Sequence, residues 1–264
     1  MDPHAELAEL FAEACAAEPS EAAAAVISLH GRVDTMTLQS AIELLDHDSP
    51  RARSVAADVL GQLGAAGARF VDERFAALQG RMLVETSPIV LADLAMALGY
   101  LDDPRVVLAL VPLVAHPEAI VREGVAMGLM RQDAPEAIAA EITLSGDAEG
   151  EVRNWATFAL GAQTTIDTPK LRAALLVRLS DTHEGARHEA IAGLARRGET
   201  SVVEPLAAEL AGHMSSLLVE AACELADPRL HEALLAARAE PEMTPWFAEG
   251  LDEAIARCNP NAEI

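Results

Sequence analysis

The sequence predicts an all-α solenoid, a stack of antiparallel helix pairs, and three observations carry that prediction. The apolar content is high, 51% of 264 residues, yet aromatics make up only 3%. It therefore consists mostly of Ala, Leu and Val; Ala and Leu are strong helix formers, and small side chains let helices approach closely. A nine-residue frame recurs as RSVAADVLG from Arg53, LADLAMALG from Leu91, REGVAMGLM from Arg122, RNWATFALG from Arg153, RHEAIAGLA from Arg187 and LVEAACELA from Leu218. Its spacing of 31 to 38 residues is that of a helical repeat. Helices of a second kind fill the intervals, at Met36–Leu45, Ala68–Leu78, Arg105–Val114, Pro135–Ile142, Pro169–Leu179 and Val202–Leu210.

In chain order, His4–Ala17 and Glu21–Leu29 have helical spacing but lack the frame. They are expected to cap the open end of the core over residues 1–32, with repeats over 33–226. A last pair, Pro228–Ala239 and Thr244–Cys258, closes 227–264, so that 1–264 forms one domain. Pro50, Pro88, Pro104, Pro117, Pro169 and Pro228 fall near helix starts, where a missing N–H is tolerated. Gly61, Gly99, Gly161 and Gly198 fall near helix ends, where a left-handed residue is useful.

The frame resembles the HEAT-like repeats common in bacteria, of the kind described in phycobilisome-lyase-related proteins, from about Val33 to Ala226. The resemblance implies a right-handed superhelix. It also implies a ladder between units, built from an Asp in the turn and an Arg that follows a Val early in the second helix. Asp147, Val152 and Arg153 match fully; Asp181 and Arg187 match with Ala186 in place of Val; Arg122 follows Val121, with His116 where the Asp would stand. Arg153 and Arg187 are expected to bind turn carboxylates or carbonyls of adjacent units, with Asp147 and Asp181 as partners. Leu91 and Leu218 should interrupt the ladder.

In such solenoids the second helix of each pair lines the concave face. Helical geometry puts Val152, Ala156, Ala159 and Leu160 on a core face and Glu151, Asn154, Trp155 and Phe158 opposite. Two and five residues after the reference position stand Val55 and Asp58, Asp93 and Met96, Gly124 and Met127, Trp155 and Phe158, Glu189 and Ala192, Glu220 and Cys223. With Glu123, Asn154 and His188 beside them, these columns mix acids, Met and aromatics. Aromatic anchors with steering acids suit a basic protein partner. The other reading of Trp155 and Phe158 is that they fill the space between helices; the scarcity of aromatics favours the first.

A formal charge of −23 argues against a nucleic acid and an anionic membrane surface, and favours a basic partner. Cys15, Cys223 and Cys258 form neither a disulfide framework nor a zinc motif. The start MDPHAELAEL is not a secretory signal, and no apolar run suffices for a membrane span, so a cytoplasmic protein is expected. His183-Glu184, His188-Glu189 and His231-Glu232 are His-Glu pairs, and RHEA at Arg187–Ala190 resembles the metal motif of HEAT-repeat di-iron hydroxylases. No other frame carries the His, so no metal, cofactor or catalytic set is expected. The resulting expectation is a non-enzymatic scaffold whose acidic, partly apolar groove holds a basic protein, as an immunity or inhibitor protein or an adaptor. The alternative is a HEAT-repeat enzyme, bilin lyase-like or hydroxylase-like.

Overall fold

The structure, a computed structural model, describes residues 3–16, 19–64, 69–212, 214–239 and 244–261. Ala17 and Ala68, where two expected helices end and begin, lie outside them. The described residues form sixteen α-helices and no strand. The chain divides into two compact units, Met1–Ala140 and Glu141–Ile264. The first contains α1 (Pro3–Ala16), α2 (Pro19–His30), α3 (Thr35–Leu44), α4 (Pro50–Gln62), α5 (Val71–Met82), α6 (Pro88–Gly99), α7 (Arg105–Leu110) and α8 (Ala119–Leu129). Helix α9 (Pro135–Leu144) runs across the division. The second unit continues with α10 (Gly150–Phe158), α11 (Pro169–Arg178), α12 (Glu184–Ala195), α13 (Val203–Gly212), α14 (Ser216–Leu225), α15 (His231–Arg238) and α16 (Pro245–Arg257).

Local signals start these helices where the sequence places them. Asp34 accepts from the Thr37 N–H at 2.8 Å, and Thr168, Ser215 and Thr244 cap α11, α14 and α16 in the same way. Proline occupies the first turn of α4, α6, α11 and α16. In the first unit α4 packs between α2 and α6, and α6 against α8, while α3, α5 and α7 pair with their successors. In the second, α10, α12, α14 and α16 form the corresponding row. This is the repeat of a HEAT-like solenoid.

The frame glycines serve that row differently from the expectation. Only Gly64 and Gly198 have positive φ among the described glycines, 65° and 66°. Gly61, Gly99 and Gly161 are not left-handed caps. A Cβ on Gly61 would stand 2.8 Å from Ala97 Cα, one on Gly124 2.6 Å from the Ala92 carbonyl oxygen, and one on Gly161 2.9 Å from the Glu189 carbonyl oxygen. They let second helices touch backbone to backbone.

Arginines tie turns to helices. Arg53 Nη1 donates to the carbonyls of His47 and Asp48, both at 2.9 Å; Arg122 Nη1 to those of His116 and Pro117 at 2.8 and 3.0 Å; Arg153 Nη1 to those of Asp147 and Ala148 at 3.0 and 2.9 Å. Arg187 Nη1 donates to the Asp181 carbonyl at 2.9 Å. The rest of the guanidinium reaches forward. Arg153 makes a two-pronged bond to Asp181 at 2.8 and 2.7 Å, Arg53 one to Glu85 at 2.7 and 2.9 Å, and Arg187 Nε donates to Glu209 at 2.9 Å. Asp147 and Asp181 are thus the partners expected, through carbonyl or carboxylate, and Glu85 and Glu209 join them. Arg153 takes the carbonyl of Asp147, whose carboxylate accepts the Glu149 N–H. Arg187 takes the Asp181 carbonyl and the Glu209 carboxylate, because the Asp181 carboxylate already holds Arg153 and Arg178. A second pair of arginines closes helix ends: Arg74 donates to the Leu60 and Gly61 carbonyls, and Arg197 to those of Leu160 and Gly161.

Glu141 breaks the apolar pattern. Twelve residues before the reference position the frame holds Leu110, Leu175 and Leu206, all fully buried. Here it holds a carboxyl that is 1% exposed, with neither oxygen hydrogen-bonded. Burial pushes its pKa well up.

The Arg153 hydrogen bonds, outweighing burial, hold Asp181 at about 2. Burial alone would raise Glu85, but Arg53, Arg81 and two backbone N–H groups bring it to about 2 as well. Depressed values mean that this stability is complete above the ordinary carboxylate range, roughly pH 4, and is lost as pH falls towards about 2. Asp181→Asn should therefore cost about 3 kcal/mol at pH 7, by stranding Arg153, and progressively less below pH 4. Urea midpoints at pH 7 and pH 3 measure this; a pH-independent gap contradicts it. Glu141 has the opposite sign. Its raised folded pKa makes its contribution complete below the ordinary glutamate range and lost as pH rises. Glu141→Leu should raise stability at pH 7.5 by about 1–3 kcal/mol, with the gain shrinking at pH 4.5. A urea midpoint for the variant below wild type at pH 7.5 contradicts it.

Candidate functional site

In the first unit, residues spaced three and four apart turn one side of α4 and α6 outward beside α2. They enclose a hollow of about 400 Å³ lined by Val26 and Ile27 of α2, Asp58 of α4, and Asp93, Met96 and Tyr100 at α6. Its rim is apolar and open: Ile27 is 69% and Tyr100 46% exposed. Its charge is negative. Asp58 accepts from Gln62 Nε2 at 2.7 Å, and His30 Nε2 lies 3.3 Å away. Asp93 is half-buried and bonded to Ser54; burial first, and then the nearby Asp58 charge, raise its pKa. Arg51 lines the hollow but donates to the Cys15 and Ala14 carbonyls at 2.7 and 3.1 Å. Two carboxylates to one guanidinium leave the floor net negative, and with its apolar rim it attracts a cationic side chain carried on an apolar surface.

The structure thus brings together Asp58, Asp93 and Met96 of the expected binding residues. Glu123 and Met127, on α8, are half-buried and do not line this hollow. In the second unit, Val152, Ala156, Ala159 and Leu160 are buried, while Asn154, Trp155 and Phe158 are half-buried. The Trp155 and Phe158 rings meet edge to face, with centroids 6.1 Å apart. Asn154 lies over the start of α12, where a Cβ on Gly185 would come 2.5 Å from its side-chain oxygen. These three side chains therefore divide their surface between helix packing and solvent.

His188 is not part of an open face. It is 7% exposed and its Nε2 meets Glu209 at 2.9 Å, so it turns towards α13. Glu189 is half-buried, with one carboxylate oxygen buried and without a hydrogen bond; burial raises its pKa, and Arg196 opposes this. Glu220 is exposed on α14. The histidines of the other two His-Glu pairs have ordinary partners: His183 caps α12 through the Ala186 N–H and faces Glu151 at 3.3 Å, and His231 meets the Ile255 carbonyl at 3.2 Å. Among the described residues, no three His, Cys, Asp or Glu side chains gather as a metal-binding group. No described helix is long and apolar enough to cross a membrane.

Ile27 and Tyr100 escaped the sequence reading because neither stands in the two repeat columns. Their signal was weak but real: large apolar residues off the core spacing of their own helices.

The fold and these faces define a HEAT-like helical-repeat protein with acidic and apolar patches on its second helices. The chain is similar to Protein YibA of Escherichia coli (strain K12), 28% identical over 214 residues that span 78% of this chain and 75% of YibA. The X-ray structure of Escherichia coli YibA has the same fold, with a TM-score of 0.71 at 24% identity over 95% of this chain and 94% of that one. The S. pombe condensin Cnd3-Cnd2 subcomplex gives a TM-score of 0.61 at 14% identity, over 96% of this chain and 37% of that one. Kap121p gives 0.60 at 11%, over 97% and 32%. These likenesses concern the fold. No protein-family model matches the chain.

Because the one frame histidine is already engaged by Glu209, elemental analysis of the purified protein should find no stoichiometric iron or zinc. Two irons per chain, lost in His188→Ala, would contradict this.

Proposed function

We propose that this protein is a non-enzymatic scaffold that binds a basic protein partner on the acidic, partly apolar faces of its second helices. The observation that carries the reading is the hollow between α2, α4 and α6, where Asp58 and Asp93 lie behind the exposed Ile27 and Tyr100. An apolar rim supplies contact energy and the carboxylates supply direction. The charge of −23 adds long-range attraction for a cationic surface and repels nucleic acid. Among proteins of this fold, condensin Cnd3 is a chain crystallised in a subcomplex with Cnd2. An inhibitor of a basic toxin or nuclease and an adaptor are two forms of this role, both placed in the cytoplasm. The phycobilisome-lyase-type frame enters as a shared scaffold, with no chromophore transfer attached to it.

The test begins with a partner co-purified from the source cell and measures surface-plasmon kinetics at low and high salt. Asp58→Asn with Asp93→Asn should slow association and flatten its salt dependence. Tyr100→Ala should speed dissociation, by about 2 kcal/mol if it is an anchor. Salt-indifferent binding, unchanged by all three substitutions, removes this face as the site.

A further inference from the structure

A second hollow lies between α14 and α16, and of the repeat columns that the sequence singled out it takes only Glu220. On α16, Trp246, Glu249, Gly250 and Glu253 recur at three- and four-residue spacing, so they share one face. That face looks onto Val219 and Glu220 of α14, and together they line about 230 Å³. Three features distinguish the hollow from a solvated run of acids. Trp246 is 69% exposed, although only two tryptophans occur in the chain. Its backbone is fixed by Pro245 in the first turn and by Thr244, which accepts the Phe247 N–H at 3.4 Å. Gly250, in mid-helix, would meet nothing within 4 Å if it carried a Cβ, so packing does not demand glycine there and the missing side chain keeps the hollow open.

The chemistry is one-sided. Glu220, Glu249 and Glu253 line the hollow, and no basic residue does. Glu253 has Arg257 at 3.8 Å, both well exposed. The adjoining hollow on the other side of Val219 and Gly250 is different, since Arg196 and Arg257 there stand among its glutamates. The two hollows share Glu220 and Glu253, and the Trp246 end differs in adding Glu249 and the indole, with neither arginine in its lining. An indole face beside carboxylates fits a planar guanidinium, which stacks on the ring and pairs with the carboxylates through its forked N–H groups.

We propose that this hollow receives an arginine side chain of the basic partner, with its guanidinium on Trp246 and paired to Glu249 and Glu253. This rests on the scaffold reading above and adds a second anchoring point to it. The two tryptophans give two indole N–H resonances, assignable with Trp246→Phe. Titration with a capped tetra-arginine peptide should shift the Trp246 resonance saturably, and the citrulline counterpart should bind at least tenfold more weakly. Glu249→Gln with Glu253→Gln should weaken the arginine peptide at least tenfold. Gly250→Leu should abolish the shift without lowering the melting temperature, which separates a filled hollow from a misfolded chain. An unshifted Trp246 resonance, equal binding of citrulline, or full binding by Gly250→Leu overturns the proposal. Because the readout is local to Trp246, its failure leaves the kinetics at the Asp58–Asp93 face to stand or fall separately.

Discussion

One arginine, placed early in the second helix of a pair, joins three pieces of chain that would otherwise be independent. Its Nη1 closes the turn that precedes its own helix, and its remaining N–H groups reach the carboxylate of the following pair. Arg53, Arg153 and Arg187 do both. The turn carbonyls need a partner because the chain reverses there and the backbone has none to offer. Two of the three carboxylates are nearly withdrawn from water, at 0% side-chain exposure for Glu85 and 2% for Asp181. Such a pair contributes little over an apolar substitute, but losing one member strands a buried charge. It therefore fixes the register of successive pairs more than it adds to total stability.

With register fixed, the second helices can approach until glycine and alanine meet across them, as Gly61 meets Ala97 and Gly161 meets α12. Close approach places large side chains in the core only on the inner face. What remains on the outer face is open to solvent. In the first unit that is the Asp58–Asp93 hollow, and in the second the hollow below Trp246. Both pair negative charge with exposed apolar surface.

The repeat was legible because each frame restates the same Ala and Leu spacing, and the burial of Val152, Ala156 and Leu160 follows from that spacing alone. Ladder partners were less legible. Glu85 stands six residues before Leu91, the offset of Asp181 from Arg187, but in a frame with no Arg and as Glu rather than Asp, which hides that it serves Arg53 from 32 residues away. Glu209 lies on a helix, not in a turn, and the His188–Glu189 doublet drew attention to the wrong glutamate. The glycines were ambiguous by nature, since helix ends and close contacts both select them; only φ and the facing backbone separate the two. Glu141 occupies a position that three other units fill with leucine, and Trp246 lies beyond the last frame, where the repeat gives no template.

The dependence of the fold on inter-repeat arginines is open to a direct measurement. A thermodynamic double-mutant cycle on Arg153→Ala and Asp181→Asn, read from urea unfolding at neutral pH, isolates the pairwise term. The account predicts strong non-additivity, with a coupling of about 2 kcal/mol, because the second substitution no longer strands a buried charge. Additivity within about 0.3 kcal/mol would contradict it, since the two side chains would then be neighbours without being partners.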